Sequence, residues 1–252
     1  MKRIILSMAL VGLCQLTVVG QKKYEMVVEK TDGTETIITV KDIARTYFRE
    51  QNDGGGGETT CPDGNHPHMI DLGLPSGTKW ACCNVGASAP EGYGNYYAWG
   101  ETAPKASYPQ IHVSSLPSEQ MDAILKKGFM IAGSAYDAAT VNWGSPWHMP
   151  TSGQWQEIID NASIEWTFYN EVGGQRITGP NGNSIFLPAA GMYEGGNLLN
   201  LQIGCDYWTA ALLEYGEDTY DWSNAKSYEG GMGGASISFF NRGDGLPVRA
   251  VR

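Results

Sequence analysis

The chain has 252 residues, a formal net charge of −10, 33 glycines and an aromatic share of 11%. Its acidity argues against nucleic acid and anionic membrane surfaces as partners, because both reward clusters of Lys and Arg. Glycine at nearly twice its usual share, with plentiful Trp and Tyr, argues against a helical bundle and for short strands, tight turns and loops pinned by large side chains.

The N-terminus, MKRIILSMALVGLCQLTVVGQKK, starts with Lys2 and Arg3 and continues as an apolar run from Ile4 to Val19. With Val18 and Gly20 at the small-residue positions, this predicts a secretory signal peptide over residues 1–20, cut before Gln21, and hence an exported protein of the periplasm, outer-membrane surface or extracellular space. Removing Lys2 and Arg3 takes the net charge from −10 to −12. Lipidation would need Cys14 as the anchor, and Leu13 stands before it where a small residue is expected. No other stretch is apolar and long enough to predict a transmembrane span.

Residues 21–50 predict a small β-rich leader. YEMVVEK and TIITV flank Asp32-Gly33, a hairpin signal. QNDGGGGETT, residues 51–60, predicts a flexible linker. Residues 61–252 are long enough for one substantial core. Within them MIDLGL and KWACCNV predict strands around a turn at Pro75-Ser76-Gly77. SEQMDAILKKG predicts a helix with Met121, Ile124 and Leu125 on one face, closed by Gly128. TSGQWQEIIDN predicts a second, capped by Thr151 and Gln154, with Trp155, Ile158 and Ile159 facing inward. QRITG, SIFLPAAG, DYWTAALL, ASISFF and PVRAVR predict short strands. Helices in the middle with strands at both ends predict an α+β fold whose two ends join one sheet.

IDLGLPSGTKWACCNVGA, YYAWGE, WGSPWHMPTSGQW, GPNGNSIFLPAAG and PVRAV, in that order, resemble the Fibrobacter succinogenes major paralogous domain family, exported proteins typical of the Bacteroidetes. The resemblance spans residues 66–252. It implies a C-type-lectin-like domain, akin to that of formylglycine-generating enzymes, and no established reaction. Relative to the simplest members, 116–127 looks like an insertion.

Four cysteines remain after export: Cys61, Cys82, Cys83 and Cys205. An oxidising compartment makes all four disulfide candidates, with buried thiols as the alternative. In a strand, Cys82 and Cys83 would point to opposite faces. His66 and His68 would share a face of an extended segment, a weak metal site that matches no closed zinc pattern. Asn181-Gly182-Asn183 and Asp244 offer oxygens to calcium, although the former reads more simply as a turn. No cofactor is otherwise implied.

Tyr96, Tyr97, Trp99 and Glu101 are the candidate ligand-binding residues, since an aromatic plate beside a carboxylate suits a polar ring. Tyr93, Trp143 and Trp147 are further aromatics of this kind. The same rings also suit a loop-pinning core, the commoner role of Trp and Tyr at this density. Asp71, Glu91, Glu101, Asp206, Glu214 and Asp244 are scattered and define no hydrolytic pair. There is no Gly-x-Ser-x-Gly, and neither glycine string is a phosphate loop. The sequence therefore predicts a non-enzymatic recognition module for a glycan, a peptide or an envelope protein. A hydrolase of envelope or dietary polymers and a structural envelope component are the alternatives.

Overall fold

The computed structural model describes residues 25–29, 35–39, 69–111, 118–126, 128–214 and 220–252. The expected cleavage site, the Gly-rich segment 51–60, Cys61, His66 and His68 lie outside the described residues. The fold is α+β with strand dominant, at 41% strand and 14% helix. Among the described residues, no helix is long and apolar enough to cross a membrane.

The chain divides into two compact units, Met1–Asp53 and Gly54–Arg252. In the first, β1 (Glu25–Glu29) and β2 (Glu35–Thr39) pair antiparallel, with Val27 opposite Ile37.

The second unit begins with the predicted hairpin, β3 (Met69–Asp71) and β4 (Lys79–Ala81). Its turn closes with the Gly77 amide donating to the Leu74 carbonyl at 2.9 Å. Pro75 supplies the fixed φ at the second turn position, and Gly77 adopts φ +72°. The turn is gripped from outside by Glu157, which accepts from the Ser76 amide at 2.7 Å and the Ser76 hydroxyl at 2.6 Å. A Cβ at Gly77 would meet nothing within 4 Å. Gly77→Val is therefore expected to cost about 1–2 kcal/mol through backbone strain alone. Urea denaturation checks it, and a loss below a few tenths of a kcal/mol would mean that the turn relaxes into another geometry.

Three helices follow: α1 (Ser118–Lys126), α2 (Ala138–Trp143) and α3 (Ser152–Asn161). The α3 cap is as predicted. The Gln154 amide donates to Thr151 Oγ1 at 3.1 Å, and the Thr151 amide to Gln154 Oε1 at 2.9 Å. Such a reciprocal cap satisfies two otherwise orphaned donors. Trp155 and Ile158 are buried, with Ile159 partly so. The face predicted for α1 is corrected: Ile124 is buried and Leu125 exposed, and Gln120, one turn before Ile124, is buried with it. The helix α2 was not predicted. Its N-cap, the fully buried Asp137, accepts from the amides of Gly133, Thr140 and Met149 at 2.8–3.0 Å.

Two antiparallel three-stranded sheets follow: β6 (Ser163–Tyr169), β7 (Val172–Thr178) and β8 (Ser184–Pro188); then β11 (Cys205–Glu214), β12 (Tyr220–Gly231) and β13 (Gly234–Asn241). Between them β9 (Met192–Glu194) pairs with β10 (Asn197–Leu199). The ends of the unit meet, but not in the one sheet expected: short ladders in separate sheets join them. β5 (Tyr96–Tyr97) pairs with β14 (Leu246–Pro247), and Trp80 bridges to Val251.

The strand β11 separates two apolar clusters. Trp208, Ala210 and Leu212 pack with Tyr97, Trp99, Ile124 and Trp147. Cys205 and Tyr207 pack with Trp80, Trp155, Leu187 and Tyr228. Being covered on both sides, DYWTAALL reads as a nearly continuous apolar run. Trp155 is the hub of the second cluster, with ring centroids 4.6 Å from Trp80 and 4.4 Å from Tyr228.

Candidate functional site

The ligand-binding segment predicted from sequence is divided between core and surface. Tyr97 and Trp99 are each 1% exposed. Trp99 Nε1 donates to the Thr209 carbonyl at 2.8 Å, and Trp208 Nε1 donates to the Tyr97 carbonyl at 2.7 Å. Tyr96 is half-buried, and its hydroxyl donates to the Ala190 carbonyl at 2.6 Å. Glu101 is also partly exposed, and Lys105 Nζ lies 2.8 Å from its Oε1.

The plate expected of Trp99 beside the Glu101 carboxylate is therefore corrected. It required an extended backbone, but β5 ends at Tyr97 and Gly100 turns the chain at φ +85°. Trp147 is likewise a core residue, with Trp143 edge-on at 5.6 Å.

The loops around this segment are pinned by polar handles of large side chains. The Tyr108 hydroxyl donates to the Tyr96 carbonyl at 2.6 Å, and the Tyr108 ring stacks on Tyr193 at 5.4 Å. Asn241 holds Ile111 at both backbone groups, accepting from its amide at 2.7 Å and donating to its carbonyl at 3.0 Å.

Behind Trp99 stands Arg242, which composition did not single out. Its guanidinium carbon lies 4.7 Å from the Trp99 ring centre. Nη1 donates to the Trp222 carbonyl at 3.2 Å. Burial pulls the guanidinium down to about 10, opposed by the neighbouring Glu101 carboxylate, so it stays cationic at neutral pH. The signal in the sequence was an Arg set in the Asn-Arg-Gly-Asp-Gly string, where small residues let the backbone fold tightly over it.

The six acids noted in the sequence separate by environment. Asp71 pairs with Lys79, Glu101 with Lys105 and Glu214 with Lys226, while Glu91 accepts from Asn170. Asp206 and Asp244 are instead 2% and 4% exposed, each with one carboxyl oxygen lacking a partner. Desolvation, with Glu229 nearby, pushes Asp206 up to about 7. Desolvation, with Glu194 nearby, pushes Asp244 up to about 6. Different carboxylates act on the two.

The pH consequence follows from the sign of the Asp206 shift. The folded state holds this proton up to about pH 7, whereas an unfolded Asp releases it near 4. Stability is thus fully present below pH 4 from this group and declines as pH rises to 7. Asp206→Asn is expected to remove a decline on the order of 2–4 kcal/mol across that window. Urea melts of both proteins at pH 4.5 and 7.5 test this, and parallel curves would show that Asp206 does not titrate there.

Among the described cysteines, Cys82 and Cys83 are both buried, against the expected division between faces. The reason is that β4 ends at Ala81 and the pair lies in a bend. Cys205 is a free, buried thiol. Its sulfur lies in the second apolar cluster and donates to the Leu187 carbonyl at 3.3 Å, and burial pushes it up to about 12. It is neither bridged nor activated as a nucleophile.

Asn181-Gly182-Asn183 is a turn, with Gly182 at φ +86°. The Asn181 and Asn183 side-chain amides both donate to the Asp71 carbonyl, at 2.9 and 2.8 Å. These donors tie the turn to β3 and do not face a cation. Among the described residues, no three His, Cys, Asp or Glu side chains converge as metal ligands would.

Comparison of the chain with protein-family models, curated proteins and solved structures finds no match.

Proposed function

We propose that this chain is an exported, non-enzymatic recognition module of the Fibrobacter succinogenes major paralogous type, with a C-type-lectin-like domain over residues 61–252. The observation that carries the reading is the way the loops are held. Tyr96 and Asn241 each fix a loop backbone group, at Ala190 and Ile111, while Trp99 and Tyr108 tie their own loop segments to backbone carbonyls of β11 and β5. Loops ordered before contact lose little entropy on binding, which is what a recognition surface built from irregular backbone requires. A glycan, a peptide or an envelope protein fits such a surface.

The test is a glycan and peptide array probed with the mature chain, once with calcium and once with chelator. Saturable binding to one ligand class without turnover is the expected result. Release of reducing ends from an envelope or dietary polymer would replace this reading with a hydrolase. The raised carboxyl of Asp206 is the feature that favours the hydrolase, because a carboxylic acid protonated near neutral pH is a usable general acid. Loss of such turnover in Asp206→Asn would establish it.

A further inference from the structure

A guanidinium offers two forks of parallel N–H donors, one from Nη1 and Nη2 and the other from Nε and Nη2, and either matches the two oxygens of a carboxylate. In Arg242 one N–H of Nη1 is taken by the Trp222 carbonyl. The second fork has no acceptor among the described residues: neither Nε nor Nη2 bonds within them, although the residue is 1% exposed. Buried donors of a cation without acceptors are costly, and native folds rarely keep them without a use.

The surroundings of this fork suit an anion. Gly100 lies against it, and a Cβ there would stand 3.3 Å from Arg242 Nη2 and 2.4 Å from Gln120 Nε2. The missing side chain leaves room for the Gln120 amide, which brings a second N–H group beside the fork. Gln120 Nε2 is anchored by donating to the Gly100 carbonyl at 3.1 Å. Trp99 closes the guanidinium face and holds its plane. Glu101, the neighbouring charge that acts on Arg242, is already bonded to Lys105. A single negative charge therefore neutralises the niche. A phosphate dianion would leave surplus negative charge beside Glu101 in a poorly hydrated place.

We propose that the Nε/Nη2 edge of Arg242, bordered by Gly100 and Gln120, is a carboxylate-binding site, and that a ligand of this chain seats a carboxylate there. The inference rests on the recognition reading and supplies its ligand chemistry. A uronic-acid sugar and a peptide C-terminus carry the same group, and the two are separated by the probes.

The experiment follows the Arg242 Nε–H resonance of the mature chain at pH 7 while sodium acetate, D-glucuronate or N-acetylglycine is added at constant ionic strength. A saturable downfield shift is expected. Arg242→Lys keeps the charge but loses the fork and the Nε–H probe, so binding to both proteins is also followed at the Gln120 side-chain amide, and the variant should bind roughly tenfold or more weakly. Tighter binding of glucuronate than of N-acetylglycine assigns the site to a sugar acid, and the reverse order to a peptide terminus. No saturable shift with any of the three overturns the site, as does Arg242→Lys binding acetate as tightly as the wild type. If Arg242→Lys does not fold, the wild-type titration decides alone. A resonance already downfield that moves back in Glu101→Gln would show the fork filled by the chain itself, which also overturns the proposal. An array ligand that binds while the Arg242 signal stays still sinks this site and leaves recognition standing. Acetate saturation with a blank array supports the site and counts against the broader reading.

Discussion

Trp99→Ala is expected to cost about 3–5 kcal/mol and to leave little folded protein at 37 °C. The indole is fully enclosed among Tyr97, Ile124, Trp147 and Trp208. Its removal does three kinds of damage. It opens a cavity too large to collapse, a dominant cost of large-to-small core changes. It leaves the buried Thr209 carbonyl without the Nε1–H donor that lies 2.8 Å away. It also strips the ring from beneath the Arg242 guanidinium, which then loses its only aromatic cover among the described contacts. Denaturant unfolding of the purified variant measures the loss. A variant that keeps wild-type stability and loses only ligand binding would restore Trp99 as an exposed plate.

How much of this was legible follows from how local each signal is. The Thr151–Gln154 cap and the Pro75–Gly77 turn were readable because each is set by neighbouring residues: a hydroxyl three positions before an amide, and a φ that Gly tolerates. The hairpin of β6 and β7 was hidden by its turn. Asn170 and Glu171 both take positive φ, at 48° and 68°, where an Asn-Gly pair would have announced it. The strand β12 was hidden by composition. YDWSNAKSYEGG looks like a loop, yet it lies between β11 and β13. Its small residues are there for space, since a Cβ at Gly230 would stand 2.3 Å from Gln175 Oε1.

The packing of the candidate segment was not legible. The rings of Tyr97 and Trp99 face inward, and the group behind Trp99 is an arginine. Nothing in a single sequence distinguishes an Arg that faces solvent from one folded under a Trp. The same holds for Asp206 and Asp244, which differ from four other acids only by burial. Burial is a property of the assembled sheets, and no spacing rule reports it.

Arg249→Met is expected to be at least as damaging as the loss of a core aromatic, at about 3–5 kcal/mol, although Met conserves most of the side-chain volume. Arg249 is fully buried and spends its donors on three separate elements. Nε donates to Asn84 Oδ1 at 3.0 Å, Nη1 to the Ala81 carbonyl at 3.0 Å and Nη2 to the Phe186 carbonyl at 2.8 Å. It thereby ties the C-terminal segment to the end of β4, to the bend after it and to β8. Asn84 passes the linkage on, donating to the Tyr93 carbonyl at 2.9 Å and the Tyr207 hydroxyl at 3.1 Å. Methionine leaves all three acceptors buried with nothing to replace the lost N–H groups, and each such orphan costs about 1–3 kcal/mol. Arg249→Lys should recover little, because one ammonium cannot span three acceptors in three directions. The backbone bonds from Ala81 to Ala250 and from Val85 to Val248 should then open first. Amide exchange at Ala81 and Val85, read alongside the denaturant midpoint, checks both parts. A loss under about 1 kcal/mol, with those amides still protected, would show that the short ladders alone close the fold.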